Sequence, residues 1–411
     1  MNNHRIHSWI WQRTSQSLVG GPAAVPVHQS IDEPALRGHM PALDGVRGLA
    51  ILMVLLLHFV GNTIPTNRLE NIIVLVTNYG SFGVDLFFVL SGFLITGILY
   101  DSRNSEHYFR NFYMRRILRI FPLYYAVLFV LFFIVPHILP FQSARLDLLL
   151  QHQVWAWCYC VNIYDGLNGG YSLPYIDHFW TLAVEEHFYL IWPLVVWIFA
   201  RRPRTLLSVS FVLGLSALIA RIVASLAHVS PLTIFVLTPF RLDALCLGGF
   251  LAVFARQPHG VEKLKRWIGP TAMIVGIMLI GAFTWNRFTE AGVEILRPVR
   301  ASLFLILLAV LLLRALTASS NTLFSIIFRS KFMIFLGKYS YGIYVFHHFY
   351  SYYLYTHRPV FALAELLGSH FGAVVVQASL GMFASIATAV LSYELFEKHF
   401  LSLKRLWAVE K

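Results

Sequence analysis

The chain has 411 residues, of which 57% are hydrophobic and only 13% are charged, and its formal net charge is +12. Ordinary soluble domains average about 45–50% apolar and about 25% charged residues, so this composition excludes such a domain and indicates a polytopic membrane protein. The basic residues stand in short clusters between apolar runs, which favours membrane orientation over nucleic-acid binding as the reason for the charge.

The N-terminal region is polar and rich in Pro, Gly, Ser and His, without the apolar core of a signal peptide. We therefore expect a flexible cytoplasmic tail over residues 1–41, a membrane domain over 42–400 and a short basic tail over 401–411. The three cysteines, Cys158, Cys160 and Cys246, are odd in number and lack paired spacing, so we expect neither a disulfide framework nor a metal.

Apolar runs long enough to cross a bilayer, about 17–25 residues, recur along the chain and predict an all-α fold with about ten transmembrane helices. The predicted helices are 43–60, 79–100, 119–139, 179–199, 205–228, 233–255, 267–285, 300–316, 333–355 and 372–395.

An eleventh apolar stretch, 148–164, is short and carries Gln, His and Asn. Ten helices place every basic cluster between helices on one side, as the positive-inside rule requires, whereas an eleventh span would break that alternation. We therefore expect 148–164 to be an interfacial or re-entrant segment on the outer side, and both termini to be cytoplasmic.

The first predicted helix, LDGVRGLAILMVLLLHF, carries Arg47 near its start and His58 near its end. Their separation corresponds to about 16 Å of helix rise and returns to nearly the same face. Arg47 is either a snorkelling anchor at the cytoplasmic surface or part of a functional groove. His58 is either a helix-packing residue or a group in the same groove.

Four further predicted helices carry ionisable or polar groups at similar depth, and such groups inside a membrane usually line a functional cavity. Because Glu185 and Glu186 are adjacent, we expect only one of them to face the cavity. Arg241 with Asp243 is alternatively an internal ion pair, and the histidines of the ninth helix are alternatively packing residues. The groups are Asp85 and Ser91 in the second helix, His178, Glu185 and Glu186 in the fourth, Arg241 and Asp243 in the sixth, and Tyr341, His347 and His348 in the ninth.

Arginines gather before the third predicted helix in FRNFYMRRILRIFPLYY. Arg115, Arg116 and Arg119 form either a topogenic cluster near anionic lipid or a polyphosphate site, because guanidinium groups match phosphate oxygens in bidentate geometry. No Walker motif accompanies them, which argues against ATP hydrolysis. A phosphate-bearing acyl carrier whose arm reaches towards His58 fits the spacing better.

Five motifs together resemble the acyltransferase 3 family of integral-membrane O-acyltransferases, which modify bacterial surface glycans. The resemblance covers roughly residues 40–400. The motifs are LDGVRGLAILMVLLLHF, GVDLFFVLSGFLI, FYMRRILRIFPLYY, HFWTLAVEEHFYLIWP and RLDALCLGG.

The resemblance implies ten helices, an acyl-CoA donor (usually acetyl-CoA), a saccharide acceptor such as lipopolysaccharide O-antigen or exopolysaccharide, and a bacterial inner-membrane location. We expect His58 to act as a base or to carry the acyl group, with Asp85 or Glu185 orienting it. Assigned to donor binding are Arg47, Arg116 and Arg119, and assigned to substrate binding are Trp180, Ser91, Arg241 and His347.

Two features depart from the family pattern. Some members carry a fused extracytoplasmic esterase-like domain, and the chain ends after its last predicted helix, so we expect a second transfer step to use a separate partner. The sequence YELFEKHF has Lys398 and His399 near Glu397 where a proline is expected.

The main alternative to an acyltransferase is a proton-coupled secondary transporter of a glycan or small metabolite, which also uses ionisable groups at the membrane midplane.

Overall fold

The protein is described by a computed structural model that covers residue 36 and residues 40–138, 144–288, 292–319 and 321–407. These residues form helices and, within that part of the chain, no strand. The all-α membrane fold predicted from the sequence is therefore confirmed. Most of the predicted tail over 1–41 and the last four residues lie outside the described residues, so the predicted domain boundaries stay predictions.

The described part of the chain contains ten long helices. Nine of them, all except α9, are long and apolar enough to cross a membrane. Helix α9 is less apolar, but its 27 residues give about 40 Å of rise, which exceeds the hydrocarbon thickness of a bilayer. The helices are α1 Pro41–Gly61, α2 Arg68–Asp101, α3 Tyr108–Ile138, α4 Asp177–Phe199, α5 Pro203–Leu226, α6 Thr238–Ala255, α7 Gly260–Trp285, α8 Val293–Thr317, α9 Lys331–His357 and α10 His370–Trp407.

Short helices lie in the connections. The segment 148–164 overlaps three of them and includes the residues between them. These helices are Ala144–Gln151, Val154–Trp157 and Val161–Asn168, and none is long enough to cross a bilayer. This agrees with the prediction that the segment does not span the membrane. The other short helices are Pro231–Val236, Leu323–Phe328 and Val360–Leu367.

Glycines let the central helices touch backbone to backbone. A Cβ atom on Gly92 of α2 would collide with the carbonyl oxygen of Leu245 in α6, and one on Gly337 of α9 would collide with that of Asp44 in α1. Small residues at membrane helix crossings permit such close approach. The contacts hold α1 against α9 and α2 against α6, and so fix the helices that carry most of the predicted site residues.

Two of the long helices contain a π-helical turn at a residue of interest. The turn Leu57–Gly61 closes α1 and contains His58, and the turn Tyr393–Glu397 lies within α10 and contains Glu397. Single π turns inside α-helices are frequent at functional sites because they change the direction of a side chain.

Candidate active site

A cavity with a basic wall lies between α1, α2, α3, α4 and α9 and has about 870 Å³ of empty space, part of it open to solvent. Arg47, Arg116 and Arg119 line it, as do Glu185 and Glu186. The expectation that only one of the two glutamates faces the cavity is therefore wrong. The cavity is wide enough to meet both side chains although they project about 100° apart on α4. Hydroxyl groups on its wall belong to Ser91, Thr181, Tyr189, Ser340, Tyr341 and Tyr344.

The cavity arginines differ in their partners. Arg47 forms an ion pair with Asp44 at 3.0 Å, and Arg116 lies 5.7 Å from the centroid of the Tyr189 ring. Within the described residues, neither Arg116 nor Arg119 has a carboxylate oxygen within the 4.0 Å of an ion pair. Both guanidinium groups are therefore available to the oxygens of an anionic ligand such as a phosphate.

A hydrogen-bonded pair of hydroxyl groups lies beside Glu185 at the cavity wall. Ser91 Oγ and Tyr189 OH lie 2.6 Å apart and join α2 to α4. The carboxyl group of Glu185 lies near both hydroxyl groups and near Arg116 and Arg119. This arrangement places an acidic side chain near the two arginines of α3.

Four imidazole rings cluster at the other end of α1. The ring centroid of His58 lies 4.8 Å from that of His347 and 5.6 Å from that of His348. The ring of His178 lies 4.6 Å from that of His348 and 5.4 Å from that of His347. The cluster therefore joins α1, the first turn of α4 and the middle of α9.

Backbone carbonyls fix the tautomers in this cluster. His58 Nδ1 lies 2.9 Å from the carbonyl oxygen of Val54, and His347 Nδ1 lies 2.6 Å from that of Tyr344. A carbonyl oxygen only accepts hydrogen bonds, so each Nδ1 must donate and each Nε2 carries the lone pair. The Nε2 atom of His58 is thus poised to accept a proton.

Two residues connect the cavity with the histidine cluster. Thr181 donates a 2.7 Å hydrogen bond to Tyr344 OH, which in turn donates one of 2.9 Å to the carbonyl oxygen of His178. Both Thr181 and Tyr344 line the cavity, and the Tyr344 ring also contacts that of His347. We call Thr181 and Tyr344 the dividing wall, because they contact the cavity on one side and the histidines on the other.

The orientation of His58 differs from the sequence expectation. A backbone carbonyl, that of Val54, holds its Nδ1, whereas Asp85 forms an ion pair with Arg241 at 3.1 Å and Glu185 lies at the cavity wall. Neither carboxylate orients the ring in this structure. Catalytic roles for Asp85 and Glu185 stay predictions.

Buried ion pairs account for the charges of α2, α5 and α6. Arg241 pairs with Asp85 rather than with Asp243. Asp243 instead pairs with Arg221 of α5, a residue that the sequence motifs do not include. The alternative in which Arg241 pairs with Asp243 is therefore wrong, although both residues do belong to buried ion pairs. Charges buried in a membrane protein need partners of opposite sign, and the partners here come from neighbouring helices.

The ten predicted site residues thus fall into three groups. Five line the cavity and two belong to the histidine cluster. The remaining three are buried together, since the Arg241 guanidinium lies 5.6 Å from the Trp180 ring centroid, and they are absent from the cavity wall. The groups are Arg47, Ser91, Arg116, Arg119 and Glu185, then His58 and His347, then Asp85, Trp180 and Arg241.

Several residues at the site escaped prediction although their spacing was informative. Thr181 and Tyr189 stand four residues on either side of Glu185, on one face of α4. Tyr344 stands three residues before His347 in α9. Helical spacing from a residue already singled out could have found all three.

Comparison with known proteins identifies the family. Residues 40–394 match the family of acyltransferase domains whose motifs the sequence resembles. The chain belongs to the acyltransferase 3 family. Similar proteins include O-acetyltransferase OatA of Staphylococcus aureus strain NCTC 8325, 28% identical over 80% of this chain and 54% of the relative. Peptidoglycan O-acetyltransferase OatA of Listeria monocytogenes is 28% identical over 76% of this chain and 49% of the relative.

The matched relatives are longer than this acyltransferase 3 chain, which spans about half of their length. No solved structure matches the chain.

Proposed function

We propose that this acyltransferase 3 protein moves an acyl group, most simply acetyl, from acyl-CoA to a hydroxyl group of a cell-surface saccharide. The observation that carries the proposal is the cavity wall, which combines an apolar surface with Arg116 and Arg119, two arginines that form no ion pair among the described residues. A phosphate-bearing thioester has the matching combination of anionic and apolar parts. The names of the relatives support acetyl as the transferred group.

Donor binding uses the arginines of the cavity and also its apolar wall. The phosphates of acyl-CoA bind Arg116 and Arg119, with Arg47 close by, through charge-assisted hydrogen bonds. The pantetheine arm lies along the apolar wall, which includes Phe87 and Phe88, and passes the dividing wall so that the thioester reaches His58.

Transfer itself uses the free Nε2 atom of His58. This nitrogen takes the proton of the acceptor hydroxyl while the hydroxyl oxygen attacks the thioester carbonyl. The bond from carbonyl carbon to sulfur then breaks, and the departing thiolate receives the proton from the imidazolium. The hydrogen bond from Nδ1 to the Val54 carbonyl keeps the ring in the required tautomer throughout.

The acceptor is a saccharide on the far side of the bacterial cytoplasmic membrane. Peptidoglycan is a candidate because one relative is named for it, and lipopolysaccharide O-antigen and exopolysaccharide carry hydroxyl groups of the same class.

The deciding experiment measures free thiol released from acetyl-CoA by the purified protein in proteoliposomes, with and without a saccharide extract. We expect His58→Ala to lower acceptor-dependent release by about 10²–10⁴-fold, because a positioned general base contributes that much. The matched control is His357→Ala, which alters an exposed histidine at the end of α9, outside the cluster.

Retention of most activity by a folded, inserted His58→Ala protein would contradict the assignment of the base. Absence of thiol release from acetyl-CoA and from longer acyl donors, with wild-type protein, would contradict the acyltransferase proposal as a whole. A transporter, by comparison, would leave the thioester intact under every condition.

A further inference from the structure

The histidine cluster has the composition of a transition-metal site. One ring nitrogen from each of His58, His347 and His348 lies within 4.8 Å of the other two. We propose that these three residues bind a divalent transition-metal ion such as Zn²⁺. This goes beyond the proposed acyl transfer and is opposite to the sequence expectation of no metal.

The lone pairs of the cluster are suited to binding a cation. His347 Nε2 and both ring nitrogens of His348 are buried and lack a hydrogen-bond partner. His58 and His347 donate their Nδ1–H groups to the carbonyl oxygens of Val54 and Tyr344, so their Nε2 atoms can only accept a hydrogen bond or bind a cation. Metal-bound histidines usually donate their second ring nitrogen to a carbonyl or carboxylate in this way.

The chemistry of the donors selects the kind of metal. Neutral imidazoles suit Zn²⁺, Cu²⁺ or Ni²⁺, whereas Mg²⁺ and Ca²⁺ prefer oxygen ligands. Bond lengths of about 2.0–2.1 Å in a tetrahedral site require ligand nitrogens about 3.4 Å apart, so small rotations of the rings must bring them together. Three protein ligands leave the fourth position for water.

The three proposed ligands differ in how deeply they are buried. His347 is fully buried, whereas the side chains of His58 and His348 are partly exposed.

Metal binding has one consequence for acyl transfer. Only this consequence rests on the proposed function; the metal site itself does not. The ion would occupy His58 Nε2, the lone pair that the transfer step needs. Zn²⁺ at the site and acyl transfer therefore exclude each other, so Zn²⁺ should inhibit thiol release.

The test measures binding without any substrate. The full chain, purified in detergent without a polyhistidine tag and stripped with chelator, is titrated with Zn²⁺ by calorimetry, and Co²⁺ is added separately to read its visible absorption. We expect a high-affinity site that His348→Gln and His347→Gln each weaken by at least about 100-fold. His357→Gln, at the exposed end of α9, should bind like the wild type.

Three outcomes would overturn the proposal: no high-affinity binding by the wild type, equal binding by both cluster variants, or equal weakening by His357→Gln. Each variant is judged only if it elutes as a monodisperse species, and the wild-type titration is decisive even if both variants fail to fold. Because no acyl donor is present, failure of the acyltransferase proposal leaves these outcomes unaffected.

Discussion

At the scale of single residues, Arg115, Arg116 and Arg119 show how position separates similar side chains. All three belong to α3, but only Arg116 and Arg119 line the basic cavity, whereas Arg115 lies in a smaller hollow with Ser102 and Tyr108. Sequence spacing identified the cluster. It could not say which members face the cavity, because that depends on how α3 is rotated against α4.

We predict that Arg119→Ala raises the KM for acetyl-CoA by about 10–100-fold, because hydrogen bonds to charged groups contribute about 1.5–3 kcal/mol. Thiol release measured over a range of acetyl-CoA concentrations checks this. Arg115→Ala is the matched control and should leave the KM nearly unchanged. An unaltered dependence on acetyl-CoA in Arg119→Ala would place donor binding elsewhere.

Asp165, in the short helix Val161–Asn168 between α3 and α4, gives a prediction about pH. Burial raises the pKa of its carboxyl to about 7, although the backbone N–H of Ser172 donates a hydrogen bond to it. The folded protein therefore keeps the group protonated at pH values where the unfolded chain, with a pKa of about 4, has ionised it. The stability contributed by this group is lost as pH rises from about 4 through 7.

We expect Asp165→Asn, which keeps an oxygen to accept the Ser172 hydrogen bond, to remove this dependence. The apparent melting temperature of the variant in detergent should exceed that of the wild type at pH 8, and the difference should shrink towards pH 5. A difference that stays constant between pH 5 and 8 would show that Asp165 does not titrate in this range.

At the scale of helices, apolar runs predicted where the chain crosses the membrane but not how far each helix extends. Helix α2 begins at Arg68 rather than 79, and α3 begins at Tyr108 rather than 119. These extensions carry polar residues, so a search for apolar runs excludes them. The sequence also could not predict which charged residues form ion pairs, since the pairing of Asp85 with Arg241 depends on the relative rotation of α2 and α6.

The crossing of α2 and α6 supplies a prediction about packing. Gly92→Ala should lower the apparent melting temperature by several degrees, because its new methyl group meets the Leu245 carbonyl and overpacking costs about 1–3 kcal/mol. Gly276→Ala in α7 is the matched control, since a Cβ atom there has no neighbour within 4 Å. Equal melting temperatures for the two variants would contradict the close crossing.

At the scale of the whole molecule, orientation in the membrane follows from the basic clusters and is open to a direct test. Cys158 is exposed in the segment between α3 and α4, which we expect on the outer side, whereas Cys246 is buried. A membrane-impermeant maleimide should therefore label wild-type protein in intact spheroplasts, and Cys158→Ser should remove most of the labelling.

The control for orientation is Lys263→Cys in a background where Cys158 and Cys160 are serine. Lys263 is exposed near the start of α7, beside a basic cluster that we expect in the cytoplasm. This protein should react only after the membrane is permeabilised. The reverse pattern would invert the predicted topology, including the cytoplasmic position of both termini.

The dividing wall also bears on the energy stored across the membrane. Protons and hydrated ions cross a membrane protein along continuous chains of water and polar groups. The hydroxyl groups of Thr181 and Tyr344 hydrogen-bond to each other and to the His178 carbonyl oxygen, so they form a polar link between the arginine-lined cavity and the titratable histidines. We therefore expect these two hydroxyl groups to control how readily protons pass between the two ends of the interior.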